Sequence, residues 1–497
     1  MRISKQLSFV YSANAINGAL GLAIVPLGLK YLRTDGYGLL GIYAALSAYL
    51  ALCDLGISKT LIRRLAACAC PDQRAALLRL AVTLYASIAA SLLLLSPALV
   101  NYLPRSVLWV PQAHVAPLRT MIALAVADYV LSTPATIMQA QCVADQRFDR
   151  YSRFTVASGV SRYLAMLIGI YCFRTPVAVV IALVCRRIVD LATARWLMAP
   201  LPWKLLRLHF SPAALELAFS SIRQSFAQIS LGTLLNAGPL IANGLYGLAS
   251  AGIYKATFDI TAKVWFLSNG MGVVAFPYFA RVLSGGGGPP VFSRLVQYLN
   301  ASWGGYLLIA VLLGIASPYL LPLAGLPGAT NRYLFLLVLL GVCVNAHATV
   351  SLELLQASGR SLHVGGMCLV SLGILAAVAV GCQTRFGLLS LAWGWLSSLA
   401  FLAVVSDASA LARMSETPSA LWRMHVFKAA ALGGVLLALS LLTGAGPAAV
   451  LAAGLGVCIP VGVWVGDRRD FTAATAVCVR AGRTLRGFPA GSRVDSL

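Results

Sequence analysis

Apolar runs of membrane-spanning length, separated by short polar connections, recur along the whole chain. They fall at about 8–29, 39–61, 80–103, 119–141, 154–173, 177–198, 215–243, 250–281, 292–317, 331–356, 362–382, 387–408, 426–443 and 447–466. A hydrocarbon core of about 30 Å is crossed by roughly 20 apolar residues in a helix, which is the length of these runs. Fourteen spans follow, with the seventh and eighth divided within one long run at Pro239 and Gly244. The expected fold is an all-α polytopic membrane protein. It has two pseudo-symmetric six-helix lobes plus two C-terminal helices.

Four parts are expected: a first lobe over 1–208, a second over 209–415, spans thirteen and fourteen over 416–466, and a basic tail over 467–497. The lobes are joined by a Pro-bounded basic amphipathic segment, Pro200 to Pro212, suited to the head-group level. A weak internal repeat supports the two-lobe reading. Gly41-Ile-Tyr-Ala-Ala45 opens the second span and Gly252-Ile-Tyr-Lys-Ala256 the eighth, 211 residues later, after prolines at 26 and 239. Six spans separate the copies, so they run in the same direction, as in parallel-repeat transporters with a cavity between halves.

Composition agrees with a membrane chain: of 497 residues 59% are hydrophobic and 11% charged, and the mean hydropathy is +0.83. The net charge of +23 comes from 38 Lys and Arg against 15 Asp and Glu. These bases lie scattered in short connections without forming a basic domain, which argues against nucleic acid and for anionic lipid head groups. Alternate connections divide them unevenly: 25 fall on the side of the N-terminus, seven opposite and six within spans. This places both termini in the cytoplasm. Arg2 and Lys5 precede a retained first span with no cleavage site. The eleven cysteines sit mostly in or beside apolar runs as packed thiols.

The chemistry to be explained is charge at membrane depth. Basic residues there are Arg162, Arg186, Arg187, Arg223, Lys255 and Lys263; acidic ones are Asp54, Asp128, Asp190 and Asp259, with Glu216, Glu353 and Asp407 nearer the ends. Ionisable groups in a bilayer face a bundle interior or a watery path. Lys255, Asp259 and Lys263, four apart, form one stripe about 12 Å long. A single acid between two lysines leaves one positive charge over, which suits an anionic cargo. Arg223 sits on a Ser/Gln-rich face with Ser220, Gln224 and Ser230. Arg186 and Asp190 can neutralise each other, and Arg187 can reach toward the head groups. Asp54 and Asp128 are either H⁺ or Na⁺ carriers or partners of Arg162 or an arginine of the sixth span. Asp259 is a third coupling candidate. No P-loop and no metal motif occurs, the five histidines are far apart in sequence, and neither an enzyme nor a metal site is expected.

The segments Tyr31-Leu-Arg-Thr-Asp-Gly-Tyr-Gly38, Asp54-Leu-Gly-Ile57, Ala251-Gly-Ile-Tyr254 and Leu355-Gln-Ala-Ser-Gly-Arg360 resemble Wzx-type flippases of lipid-linked oligosaccharides. These belong to the multidrug/oligosaccharidyl-lipid/polysaccharide superfamily. The chain departs from the pattern at Arg33 and Thr34, where that family more often has a Gly and an acidic residue. The resemblance implies a carrier in the bacterial inner membrane that turns undecaprenyl-diphosphate-linked sugar from the cytoplasmic to the periplasmic leaflet, beside polysaccharide polymerase machinery. Arg162, Arg223, Lys255 and Lys263 would then hold the diphosphate, and Tyr254 and Trp265 would stack on sugars or pack in the core. Three other readings stand beside it, one of them a non-transporting lipid-binding scaffold. A cation-coupled multidrug exporter of the same superfamily predicts a net acidic cavity, and a membrane glycosyl polymerase or transferase requires a catalytic loop outside the membrane.

Overall fold

The computed structural model describes residues 3–54, 56–67, 70–145, 147–198, 225–265, 268 and 289–412. Arg223, Glu216, the Pro200 to Pro212 linker, the last two expected spans and the arginine tail lie outside them. The described residues form helices α1 (Ile3–Leu52), α2 (Ile57–Ala67), α3 (Pro71–Tyr102), α4 (Gln112–Ala144), α5 (Phe148–Ile168), α6 (Pro176–Leu197) and α7 (225–236). They continue as α8 (Gly238–Tyr246), α9 (Leu248–Thr261), α10 (Pro289–Leu323), α11 (Ala329–Ala357), α12 (Ser361–Gly381), α13 (Gln383–Phe386) and α14 (Leu389–Ala412). No strand occurs among them.

α1 holds the first two expected spans, two helices joined at Arg33, whose φ of 59° and ψ of 178° are not helical. The seventh and eighth meet in the same way at Gly247, with φ 82° and ψ 174°. The two kinks lie 214 residues apart in sequence and share one backbone geometry. The structural register of the halves is therefore 214, three residues off the five-residue sequence match.

The second apolar run also ends sooner than its hydropathy suggests. α1 stops at Leu52, Gly56 turns the chain with φ 68°, and α2 starts as a short amphipathic helix. Asp54 makes that break, because its carboxylate accepts from the Ser58 hydroxyl (2.6 Å) and backbone N–H (3.4 Å) in the first turn of α2.

Contacts sort the connections onto two ends of the bundle. At one end Arg174 and Tyr171 lie against Tyr31, Gly325 lies beside Leu29, and Asn243 donates to the Leu108 carbonyl. At the other, Arg74 pairs with Asp145 and donates to the Leu65 carbonyl. α11 is the axis of the C-terminal half: 94% of its most apolar window is buried, against 17% for α5, which faces outward. Trp395 of α14, fully buried, fills the notch left by Gly341 of α11; a methyl there would lie 2.5 Å from the indole nitrogen. Within helices, many Ser and Thr hydroxyls return to carbonyls one turn back, as Thr83 does to Arg79 (2.9 Å), which satisfies them without water.

Candidate functional site

α1 and α9 form the seam between the halves. Small residues let them approach: a Cβ on Gly252 would lie 2.0 Å from the Thr34 carbonyl oxygen, and one on Gly38 would lie 2.3 Å from that of Leu248. Further along the seam, the Lys255 stem lies against Gly41, 3.1 Å from where a Cβ would be. Its ammonium pairs with Asp259 one turn on, and the second Asp259 oxygen accepts from the Tyr37 hydroxyl of α1 at 2.8 Å. The acid therefore ties the two halves together.

Lys263 lies just past the end of α9, with its charge still acting on Asp259. α9 ends at Thr261 and a tighter 3₁₀ turn, Ala262–Val264, carries Lys263 toward the first part of α1 and toward α5. Its ammonium sits against Gly21 and 5.8 Å from the Tyr163 ring centre, within reach of a cation–π contact. Among the described residues it makes no ion pair, so the cation left over by Asp259 is Lys263.

A second charged group lies inside the N-terminal half. Arg187 of α6 grips Asp128 of α4 with two bonds, 2.6 and 2.7 Å, and reaches Asp190 at 3.3 Å; Arg186 pairs with Asp190 at 2.5 Å. Ser161 and Ser158 of α5 complete the cluster at 3.2 and 3.4 Å. Two arginines and two aspartates balance. Arg187, expected to reach for the head groups, instead turns inward because Asp128 is there to receive it. Arg162, beside Ser161, is exposed and makes no ion pair among the described residues. Tyr43 of α1, buried, lies in the field of Asp128, Arg187 and Arg162. Tyr37 and Tyr43 thus connect one helix to both charged groups, roughly 9 Å apart along its axis.

Asp54 belongs to neither group. Besides Ser58 it binds the Tyr85 hydroxyl of α3, and it lies 17 residues beyond Tyr37, roughly 25 Å along the helix. Of Tyr254 and Trp265, for which the sequence left sugar stacking or core packing open, Tyr254 is fully buried against Gly238 and stacks on Phe258, whose ring meets the partly buried Trp265 edge-on.

Sequence reasoning missed three features. Tyr37, Tyr43 and Tyr163 read as ordinary aromatics until the partner helices are placed. The paired glycines carried a signal, a Gly in corresponding positions of both halves, but the register was offset by three. The third is a buried chain in which Ser302 Oγ lies 2.9 Å from His347 Nδ1, and His347 Nε2 lies 3.0 Å from Asp407, which also accepts from Ser351 at 2.5 Å. The Ser302 hydroxyl also donates to the Leu299 carbonyl, and these side chains are at most 8% exposed. This chain joins α10, α11 and α14 and presents no nucleophile to solvent.

No family model matches the sequence, and no curated protein matches it. Solved structures do share the fold. The lipid II flippase MurJ in an inward closed conformation aligns with TM-score 0.64 at 11% identity, over 91% of this chain and 97% of its own. The eukaryotic MATE transporter AtDTX14 aligns with TM-score 0.60 at 15% identity, over 85% and 98%. An inward-facing multidrug resistance MATE transporter of the MOP superfamily gives 0.59 at 13%, over 85% and 96%. The chain thus shares the helical fold of these solved membrane proteins.

Proposed function

We propose that this protein turns undecaprenyl-diphosphate-linked oligosaccharide across the bacterial inner membrane, by alternating access between its two halves, for surface polysaccharide synthesis. The reading rests on Lys263: a cation at the seam, without a carboxylate of its own among the described residues, within a fold that MurJ shares. A diphosphate head group cannot cross hydrocarbon unaided, whereas its polyprenyl tail stays in lipid. Parting α1 from α9 exposes Lys255 and Lys263 to such a head group, with Arg162 and Arg223 as further phosphate ligands. Outward movement of two negative charges through 100 mV, negative inside, is favourable by roughly 4 to 5 kcal/mol, so potential alone biases transport. H⁺ or Na⁺ exchange through Asp54, Asp128 or Asp259 would add to it. The partners are membrane lipids and the polymerase that receives the flipped sugar.

A multidrug exporter with the same fold needs carboxylates free for a cationic cargo. Asp128 and Asp259 are instead held by Arg187 and by Lys255 with Tyr37. The deciding experiment is transport of fluorescent lipid-diphosphate-sugar into proteoliposomes by wild type, Lys263→Ala and Arg223→Ala. Both variants are expected to flip at least tenfold more slowly while binding no cationic drug, a loss of about 1.4 kcal/mol or more. Parental rates in both would sink the assignment.

A further inference from the structure

We infer a second, separate binding site on the outer face of the N-terminal half, which takes an anionic glycerophospholipid with one acyl chain in a slot and its phosphate between two cations. The slot, about 270 Å³, lies between α1 and the wide turn Gly169–Phe173 that ends α5. Leu27, Leu167, Ile168 and Ile170 line its floor, and Tyr31 and Tyr171 stand at its mouth, their rings edge-to-face at 5.8 Å. Among the described residues, none of the C-terminal half lines it. Ile168 and Tyr171 are more than half exposed, so the slot opens to lipid and away from the seam.

Charge selects the occupant. The Arg174 guanidinium sits 5.1 Å from the centre of the Tyr31 ring and the Lys30 ammonium 5.6 Å from the same ring. Neither cation is paired with a carboxylate among the described residues, and both are exposed. Arg174 is held there by an αL backbone (φ 55°, ψ 26°), unusual for a residue with a side chain, at the C-cap of the turn. Arg33 and Asp35, in the adjacent kink, are exposed as well, leaving the mouth with three cations against one carboxylate. An apolar slot rimmed by aromatic rings and a net positive mouth matches the build of a lipid with an anionic head. Bilayer phospholipid surrounds this face at high local concentration, so mass action favours it over a scarce polyprenyl carrier.

Native mass spectrometry of the full chain, titrated separately with phosphatidylglycerol, phosphatidylethanolamine and polyprenyl phosphate, tests the site without any transport readout. Phosphatidylglycerol is expected to be retained in preference to phosphatidylethanolamine. The surface variant Lys30→Ala/Arg174→Ala is expected to weaken that retention roughly ten- to thirtyfold. Leu167→Trp, which fills the slot and keeps both cations, is expected to weaken both phospholipids alike. Unchanged phosphatidylglycerol retention in both variants would overturn the inference. So would polyprenyl phosphate binding the wild type while phosphatidylglycerol does not. Failure of sugar flipping would leave this result untouched.

Discussion

Gly252 and Gly38 meet across the seam with no room for a side chain on either: a Cβ on Gly252 would come within 3.0 Å of the Gly38 nitrogen, and one on Gly38 within 3.1 Å of the Gly252 nitrogen. Both stand five residues after a kink of the same geometry, at Arg33 and Gly247. The contact therefore lies on the pseudo-symmetry of the two halves. Gly252→Val is expected to wedge them apart, costing about 1 to 3 kcal/mol as overpacking does. An impermeant maleimide should then label Thr34→Cys much faster in the Gly252→Val background than in its absence. Equal labelling would show that this crossing does not govern access.

The kink itself carries strain on one side only. Gly247 takes its positive φ without steric cost, whereas Arg33 holds φ 59° and ψ 178°, a region that glycine alone enters freely. Such a residue costs on the order of 1 to 3 kcal/mol. Arg33→Gly is expected to raise the thermal midpoint in detergent, corresponding to about 1 kcal/mol after the added freedom of the unfolded chain is subtracted. A lowered midpoint would mean that the Arg33 side chain stabilises the turn more than its backbone strains it.

Asp128 and Arg187 should behave as a coupled pair. Removing Arg187 strands Asp128 and removing Asp128 leaves two arginines on Asp190 alone, so Asp128→Ala and Arg187→Ala are each expected to destabilise by about 3 kcal/mol. The double variant Asp128→Leu/Arg187→Leu leaves Arg186 with Asp190 and should recover most of that loss in a thermal-unfolding cycle. If it also transports with the parental pH profile, Asp128 is not an ion carrier, and of the proposed coupling residues only Asp259 and Asp54 remain.

Cys70 reports on the orientation of the chain. It caps α3, is exposed, and the backbone N–H groups of Gln73 and Asp72 hold its thiol below the ordinary range. A lowered value keeps the thiolate present at lower pH. Its alkylation rate should therefore reach half-maximum below pH of about 8.5, the value for a free thiol. In sealed inside-out vesicles Cys70 should react with an impermeant reagent, and in right-side-out vesicles it should not. The reverse pattern would invert the proposed topology.

The spans were legible because hydropathy is local: a run of 20 apolar residues announces a helix wherever its partners are. Pairing was less so. Arg186 and Asp190, four apart, could be matched by counting, whereas Tyr37 finds Asp259 across 222 residues and Arg187 finds Asp128 across 59. Periodicity did not foresee the 3₁₀ turn of three residues that carries Lys263 against Gly21 and Tyr163. Asp54 shows the opposite case. Its place before Gly56 was a readable turn signal, but the length of the apolar run hid it.

The clasp of Tyr37 and Lys255 on Asp259 has one more consequence. In this structure the Asp259 carboxylate occupies the Lys255 ammonium and the Tyr37 phenol bridges the gap, so the two helices are zipped at this point of the seam. An arriving phosphate competes for that same lysine and repels the carboxylate, loosening the zip from within. On the proposed function, cargo would then act as its own key to the seam.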